Sequence, residues 1–124
     1  MPKDEVIAIV TMMIQSAHLV QERFTEISNP DDFVISHRGT ILLDSISMRL
    51  QVIGESVKRL QKIDGSILRQ YDEIEWDKIA KFRDLVSHHY EHIDHEIVYD
   101  ICDAHIPKLC FTLHRMSKDI ELTR

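Results

Sequence analysis

Helical periodicity is the feature that most limits the fold of this sequence. From Asp4 to Ile27, apolar residues recur at steps of three and four positions, which is the pattern of an amphipathic helix. The 124 residues include only three glycines and three prolines, so the chain has few places to turn. The sequence shows no strand pattern, internal repeat or linker. We therefore predict an all-α protein with a single domain over residues 1–124.

Turn-forming residues divide the chain into further helices. Ser28–Asp32, which contains a proline, is predicted to end the first helix. A second helix is predicted to begin between Phe33 and His37 and to run to about Ile63, before the stop at Asp64-Gly65. Its predicted inner stripe consists of Ile41, Leu42, Ile46, Leu50, Ile53, Val57 and Leu60. These residues are predicted to face the core.

Gly54 lies inside this helix, where glycine costs about 1 kcal/mol relative to alanine. We therefore predict that it lets another backbone come close. After a short helical turn at 66–71, a third main helix is predicted to start near Trp76 or Asp77, and Asp94 is predicted to cap a fourth. A break at His105-Ile106-Pro107 precedes a last helix over 108–122. The predicted architecture is an antiparallel four-helix bundle with a kinked or split C-terminal helix.

Composition limits the cellular setting and the partners. No apolar run approaches the roughly 18 residues of a membrane span, and the acidic start lacks the order of a secretory signal, so we expect a cytoplasmic protein. Cys102 and Cys110 are predicted to be small buried apolar side chains without chemistry. The net charge of −6 argues against nonspecific nucleic-acid binding. Residues 37–63, however, carry five basic and two acidic side chains, which suit either a local RNA-facing stripe or an ordinary solvated face.

Three residues that suit phosphodiester chemistry lie close together in the segment 81–90. Arg83 is a permanent cation, His88 is a base whose charge changes near neutral pH, and Tyr90 supplies a phenol. Four residues separate the arginine from the histidine, and one residue separates the histidine from the tyrosine. This spacing resembles the signature of the HepT-like toxins. These toxins are a branch of the HEPN superfamily of small helical ribonucleases.

Three further blocks resemble the same family in the same order. They are Leu50–Leu60, Ile74–Ala80 and Ile93–Asp100, so the similarity covers most of the chain from about residue 37 onward. Glu55 and Trp76 lie in these blocks, and we expect both to have structural roles. The resemblance implies a HEPN-like bundle, an RNA substrate, no cofactor, and a homodimer with a composite cleft.

The resemblance also implies an activity and a role for each residue of the signature. The protein would be the toxin of a type VII-like toxin–antitoxin pair, a metal-independent endoribonuclease in which the 2′-hydroxyl of RNA attacks the phosphate and leaves a cyclic phosphate. His88 would act as general base, or as general acid for the leaving 5′-oxygen, and Arg83 would hold the phosphate. Tyr90 would position phosphate or sugar, because a phenol with a pKa near 10 is a poor base. Asp84 could orient the His88 imidazole, or could be merely solvated.

Tyr90 has a second implied role. In the family, an MntA-like minimal nucleotidyltransferase acts as antitoxin and attaches AMP to the signature tyrosine. Such a group would fill the cleft and add negative charge where an RNA phosphate must bind. The structural alternative is a tyrosine that packs its helix against a neighbour.

Helical geometry raises a difficulty for the signature. At about 100° per residue, Arg83 and Tyr90 share a face, whereas His88 points about 140° away from Arg83. Either the helix ends or distorts near 87–90, or a second subunit completes each cleft across a two-fold axis.

Two other functions compete with the ribonuclease. If the helix continued, His88, His92 and His95 would stand on one face at a spacing that suits zinc, but Asp94 resembles a cap that interrupts the helix. The other alternative is a noncatalytic HEPN module that docks a nucleotidyltransferase or a nucleotide. The complete signature favours the enzyme, because a docking module would not need it.

Overall fold

Helices form the part of the chain that the structure describes. The computed structural model describes residues 2–86 and 93–122, and no strand occurs in these two ranges. Helix α1 spans Pro2–Phe24 and turns one apolar stripe inward. The stripe consists of Val6, Ile9, Val10, Met13, Ala17 and Val20, all of which are buried. No helix of these ranges is both long enough and apolar enough to span a membrane.

The connection after α1 is a compact turn that also positions the next helix. Pro30–Phe33 form a 3-10 helix, and Asp32 Oδ2 accepts a hydrogen bond of 2.7 Å from the Ser28 amide. Phe33 is fully buried beneath this turn. Ser36 then caps the next helix, since its hydroxyl accepts a hydrogen bond from the Gly39 amide at 2.9 Å.

Helix α2 spans His37–Arg69 and supplies the largest share of the core. The predicted stripe is confirmed at six of its seven positions and is wrong at Ile41, which is 46% exposed. Leu43 is buried instead, because it lies on the other side of Leu42 and faces the interior. The predicted stop is confirmed as a kink: Asp64 has non-helical angles (φ −163°, ψ 92°), and the helix resumes for its last residues.

Two short helices replace the predicted third main helix. Helix α3 spans Trp76–Ala80 and α4 spans Phe82–Val86, with Lys81 between them at φ −91° and ψ 4°. The predicted start at Trp76 is confirmed, and the indole anchors it by donating a hydrogen bond of 3.0 Å to the Tyr71 carbonyl. The predicted continuous helix is wrong at Lys81. There a turn separates the two helices, and Phe82, the first residue of α4, is fully buried.

The C-terminal helical part passes through a wider turn. Helix α5 spans His95–Asp100, a π-helical turn spans Ile101–His105, and α6 spans Ile106–Leu122. The predicted break at residues 105–107 is therefore wrong in detail, because the chain stays helical. Pro107 cannot donate a backbone hydrogen bond, and a π-helical turn is one of the irregularities by which a helix accommodates such a loss.

Packing brings these elements together around one cluster of buried side chains. Helix α1 packs against α2 and α6, and α2 also packs against α3 and α4. Cys102 and Cys110 are free and buried, which confirms their predicted place in the core. The predicted all-α, HEPN-like helical bundle is confirmed.

Candidate active site

Helix α4 turns Arg83 outward. Its buried side chains, Phe82 and Val86, are four residues apart and point into the core. If α3 and α4 formed one straight helix, Arg83 would lie seven residues after Trp76, which is about two turns. Arg83 would then lie on the same buried face as Trp76. The turn at Lys81 avoids this, and 62% of the Arg83 side chain is exposed. The structure thus presents this cation to solvent.

Glu55 of α2 pairs with Arg83. Arg83 Nη1 lies 3.3 Å from Glu55 Oε1, and the Glu55 side chain is 49% exposed. An ion pair so exposed contributes at most about 1 kcal/mol to stability, because water screens it and two flexible side chains must be held. The pair therefore orients the guanidinium without locking it, and an anionic ligand could displace the carboxylate.

Gly54 holds α2 close to the backbone of α3. A Cβ atom at this position would lie 3.2 Å from the Ile79 carbonyl oxygen and 3.3 Å from that of Ala80. Both distances are tighter than ordinary contacts, so the missing side chain permits the approach. The predicted role of Gly54 is confirmed, and the approach brings the neighbouring Glu55 near α4.

Basic side chains continue along the same face of α2. Lys58, Arg59 and Lys62 follow Glu55 at steps of three, four and seven residues, which places them on one side of the helix. Arg59 and Lys62 are exposed, and Lys58 is partly buried. Arg38 is differently placed, since it pairs with Glu26 at 2.8 Å. The basic part of α2 beside Arg83 is therefore its C-terminal half.

A hydrogen bond joins the residue before the segment 87–92 to the chain after it. The Asp94 amide donates a hydrogen bond of 3.2 Å to the Val86 carbonyl. One straight helix would hold the two Cα atoms about 12 Å apart, so Val86 and Asp94 do not belong to one straight helix. The Asp94 carboxylate also caps α5, accepting from the Glu96 and Ile97 amides at 3.1 Å each. The predicted cap is confirmed.

The remaining predicted site residues fall into two groups. His88, Tyr90 and His92 lie outside the described residues, as does His89. Asp84 is exposed and lies next to Arg83 on α4. His95 of the predicted metal alternative is in the described part, where its Nε2 lies 4.0 Å from Asp31 Oδ1.

Comparison with known proteins identifies the family. The family model described as "Ribonuclease HepT-like" matches residues 13–116. The chain belongs to this family. Membership confirms the predicted class of enzyme, an RNase, and supports RNA as its substrate.

Curated relatives of this HepT-like protein carry consistent names. A candidate RNase of Methanocaldococcus jannaschii is 29% identical over 121 residues, which are 98% of this chain and 94% of the relative. A candidate RNase of Caldanaerobacter subterraneus subsp. tengcongensis is 29% identical over 97 residues, or 78% and 80% of the two chains.

One relative contains a further part. It is named as a gamma-glutamylcyclotransferase and candidate RNase of Methanocaldococcus jannaschii, and it is 26% identical over 109 residues. The match covers 88% of the HepT-like chain but 46% of this relative. No solved structure matches the chain significantly.

Sequence reasoning missed the contact that Glu55 makes with Arg83. Glu55 was expected to be structural because it follows Gly54 in a block that resembles the family. A signal was present, since a glutamate in a matching block, on the basic side of α2, is an available partner for the signature arginine. Choosing that partner required the packing of α2 against α4.

Proposed function

We propose that this HepT-like protein is the toxin of a type VII-like toxin–antitoxin pair and acts as a metal-independent endoribonuclease. In this proposal Arg83 holds the scissile phosphate, and His88 takes the proton from the attacking 2′-hydroxyl or gives one to the leaving 5′-oxygen. The observation that carries the proposal is an exposed, only loosely paired arginine in the signature of a ribonuclease family.

The surroundings of Arg83 support phosphate binding. A guanidinium at the surface can meet an RNA phosphate with two parallel hydrogen bonds, and a phosphate can displace Glu55 from a pair that contributes little. Lys58, Arg59 and Lys62 extend positive charge along α2 from this point. A local basic strip of this kind attracts RNA even though the net charge is −6.

Asp84 is proposed as a positioning residue for His88. It is exposed and makes no side-chain hydrogen bond or ion pair with the described residues. A carboxylate near an imidazole favours its charged form and fixes its orientation. Replacement by asparagine should therefore lower the pKa at which activity is lost in acid, without changing the fold.

The proposal includes a homodimer in which two chains complete a cleft. Within a helix, Arg83 and His88 would point in different directions, and a two-fold axis lets residues of two chains converge. Mixing Arg83→Ala protein with His88→Ala protein tests this. If a cleft takes its arginine from one chain and its histidine from the other, subunit exchange should restore up to about one quarter of wild-type activity. No recovery after proven exchange would refute the shared cleft.

Tyr90 is the proposed target of the antitoxin, an MntA-like minimal nucleotidyltransferase. AMP on this tyrosine would block the cleft and repel RNA phosphates. Incubation with ATP and the antitoxin should add AMP to the wild-type protein and not to Tyr90→Phe, as read by intact mass. Modification elsewhere, or none, would contradict this part and leave the ribonuclease proposal standing.

The activity itself is tested by incubating tag-free protein with tRNA and mRNA in the presence of EDTA. We expect cleavage that leaves cyclic phosphates. His88→Ala should lower the rate about 10²–10⁴-fold and Arg83→Ala about 10²–10³-fold.

The chain offers matched controls. Arg38 is another exposed arginine paired with a glutamate, so Arg38→Ala should leave the rate unchanged. His37→Ala removes an exposed histidine outside the signature and should do the same. A folded dimer that cleaves no RNA would instead favour a noncatalytic module, and equal losses in Arg83→Ala and Arg38→Ala would refute the role of Arg83.

A further inference from the structure

Three potential metal ligands meet where α1 packs against α6. They are His18 of α1 and Cys110 and His114 of α6, and their ligand atoms all lie within 4.8 Å of one another. The Nε2 atoms of the two histidines are 2.8 Å apart. Arg83 lies on a different helix, α4, so this cluster is separate in sequence and in helix from the proposed ribonuclease site.

The helices create this cluster from distant parts of the chain. Cys110 and His114 are four residues apart, so they share one face of α6. His18 comes from α1, 96 positions away from His114. The rings meet edge to face, with centroids 5.1 Å apart and an interplanar angle of 71°, and their Nε2 atoms are the atoms in contact.

The donors are those that zinc prefers. Two imidazole nitrogens and one thiolate are borderline and soft ligands, and Zn²⁺ binds such sets tetrahedrally at about 2.0–2.1 Å to nitrogen and 2.3 Å to sulfur. At tetrahedral angles these bonds require about 3.3 Å between the two nitrogens. The observed separation of 2.8 Å is thus about half an ångström too short, which small ring rotations can supply because both histidines are exposed.

Burial differs across the cluster in a way that suits an ion at the surface. Cys110 is only 7% exposed and lies at the base, whereas His18 and His114 are open to solvent. An ion held by these three groups would keep its fourth position on the solvent side, where water or another small ligand can bind.

We propose that His18, Cys110 and His114 form a binding site for one divalent transition-metal ion of the zinc class. The ion would join α1 to α6 and so stabilise the folded protein, since a ligand that binds only the folded state shifts unfolding by mass action. The proposal does not rest on the ribonuclease activity. RNA cleavage in EDTA would not count for or against a metal ion at this cluster, and metal binding here would not count for or against the ribonuclease.

The simpler alternative is a hydrogen bond between two neutral imidazoles. One ring would donate from Nε2 and the other would accept, and Cys110 would be only a buried thiol. Only the metal site uses Cys110 as a ligand. A bond between the Cys110 thiolate and a metal ion therefore distinguishes the two alternatives.

The test is titration of the tag-free, reduced, full-length protein with Co²⁺. We expect one ion per chain, with tetrahedral visible bands and a thiolate-to-cobalt charge-transfer band, both displaced by one equivalent of Zn²⁺. Cys110→Ser should abolish the charge-transfer band. His18→Gln and His114→Gln should each weaken Co²⁺ binding at least tenfold, since even losing an outer partner of a metal ligand costs about 10–100-fold.

Matched variants separate the site from general effects. Cys102→Ser removes the other buried thiol, and His37→Gln removes an exposed histidine that is not in the cluster. Both should bind as the wild type does. Zn²⁺ should also raise the thermal midpoint of the wild type and of these controls. At the same Zn²⁺ concentration it should raise that of His18→Gln less, because weaker binding stabilises less; His18 is exposed, so the substitution itself should leave the fold intact.

Several outcomes would overturn the proposal. Binding without a charge-transfer band would mean that Cys110 is not a ligand, and equal affinity in His18→Gln would remove α1 from the site. One ion per two chains would assign the site to a contact between copies. No binding by folded protein would leave only the hydrogen-bonded histidine pair.

Discussion

Replacing Gly54 with alanine should destabilise the protein, although alanine is the better helix former. None of the described glycines has a positive φ angle, so an alanine backbone is permitted at each. At Gly54, however, the new Cβ would lie 3.2 Å from the Ile79 carbonyl oxygen and 3.3 Å from that of Ala80. These atoms belong to the backbone of α3, which cannot move aside as cheaply as the end of a flexible side chain.

The expected size follows from two opposing effects. Alanine gains about 1 kcal/mol over glycine inside a helix, and forcing a methyl group into a packed contact costs typically about 1–3 kcal/mol. The net change should be a loss of about 1 kcal/mol of unfolding free energy, within a range of about 0–2. For a chain of 124 residues this lowers the thermal midpoint by about 3–5 °C.

Two other glycines of the chain make the experiment a series. At Gly65 the nearest contact of a Cβ would be Arg69 Nη1 at 3.6 Å, so Gly65→Ala should stabilise by up to about 1 kcal/mol. At Gly39 a Cβ would collide with the Asp32 carbonyl oxygen, so Gly39→Ala should cost about 3 kcal/mol or more. The predicted order of stability is Gly65→Ala, wild type, Gly54→Ala, Gly39→Ala.

Urea unfolding followed by circular dichroism and by tryptophan fluorescence would measure this order. The chain has a single tryptophan, Trp76, and it begins the helix that Gly54 approaches. Fluorescence therefore reports on α3 directly. If Gly54→Ala were stabilised by as much as Gly65→Ala, the close approach of α2 to α3 would not constrain this position and the reasoning would fail.

Three further predictions concern single contacts. Burial, followed by a hydrogen bond to Asp119, raises the pKa of Tyr71 from 10.0 to about 12. The protonated phenol therefore contributes its whole stabilisation below about pH 10, and this contribution is lost as the pH rises from 10 to 12. Over that range, urea midpoints should fall more steeply for the wild type than for Tyr71→Phe, and parallel curves would contradict this. Asp94→Ala should cost about 1 kcal/mol in thermal unfolding while Asp94→Asn costs little, since only alanine loses the cap; equal losses would refute the cap. Glu55→Gln should change stability by less than about 1 kcal/mol but tighten RNA binding in a filter assay, because it removes a negative charge beside Arg83; weaker binding would show that the pair assists binding.

Local patterns predicted most of the helices. The three- and four-residue periodicity of α1 and α2, the tryptophan that starts α3 and the aspartate that caps α5 each depend on residues within about one helical turn. Such local signals do not depend on how the helices pack against one another. The failures, at Ile41, Lys81 and Pro107, depend on neighbours from other helices: what is buried, where a helix must turn, and how a proline is accommodated.

The candidate site divides in the same way. The spacing of Arg83, His88 and Tyr90, together with the three further blocks that resemble the family, predicted the family, and membership is now shown by the match over residues 13–116. The roles of these three residues remain predictions, and His88 and Tyr90 lie outside the described residues. The partner of Arg83 could not be chosen from the sequence, because Glu55 is 28 positions away and several carboxylates were available.

The sequence by itself determined that this protein is helical, where most helices begin, and that it belongs with the HepT-like ribonucleases. Those properties depend on neighbouring residues along the chain and on short motifs. Only the tertiary structure decided that Arg83 faces solvent beside Glu55 and that His18 meets Cys110 and His114. Contacts between residues far apart in sequence are set by how helices pack, and packing depends on the shape of the whole core.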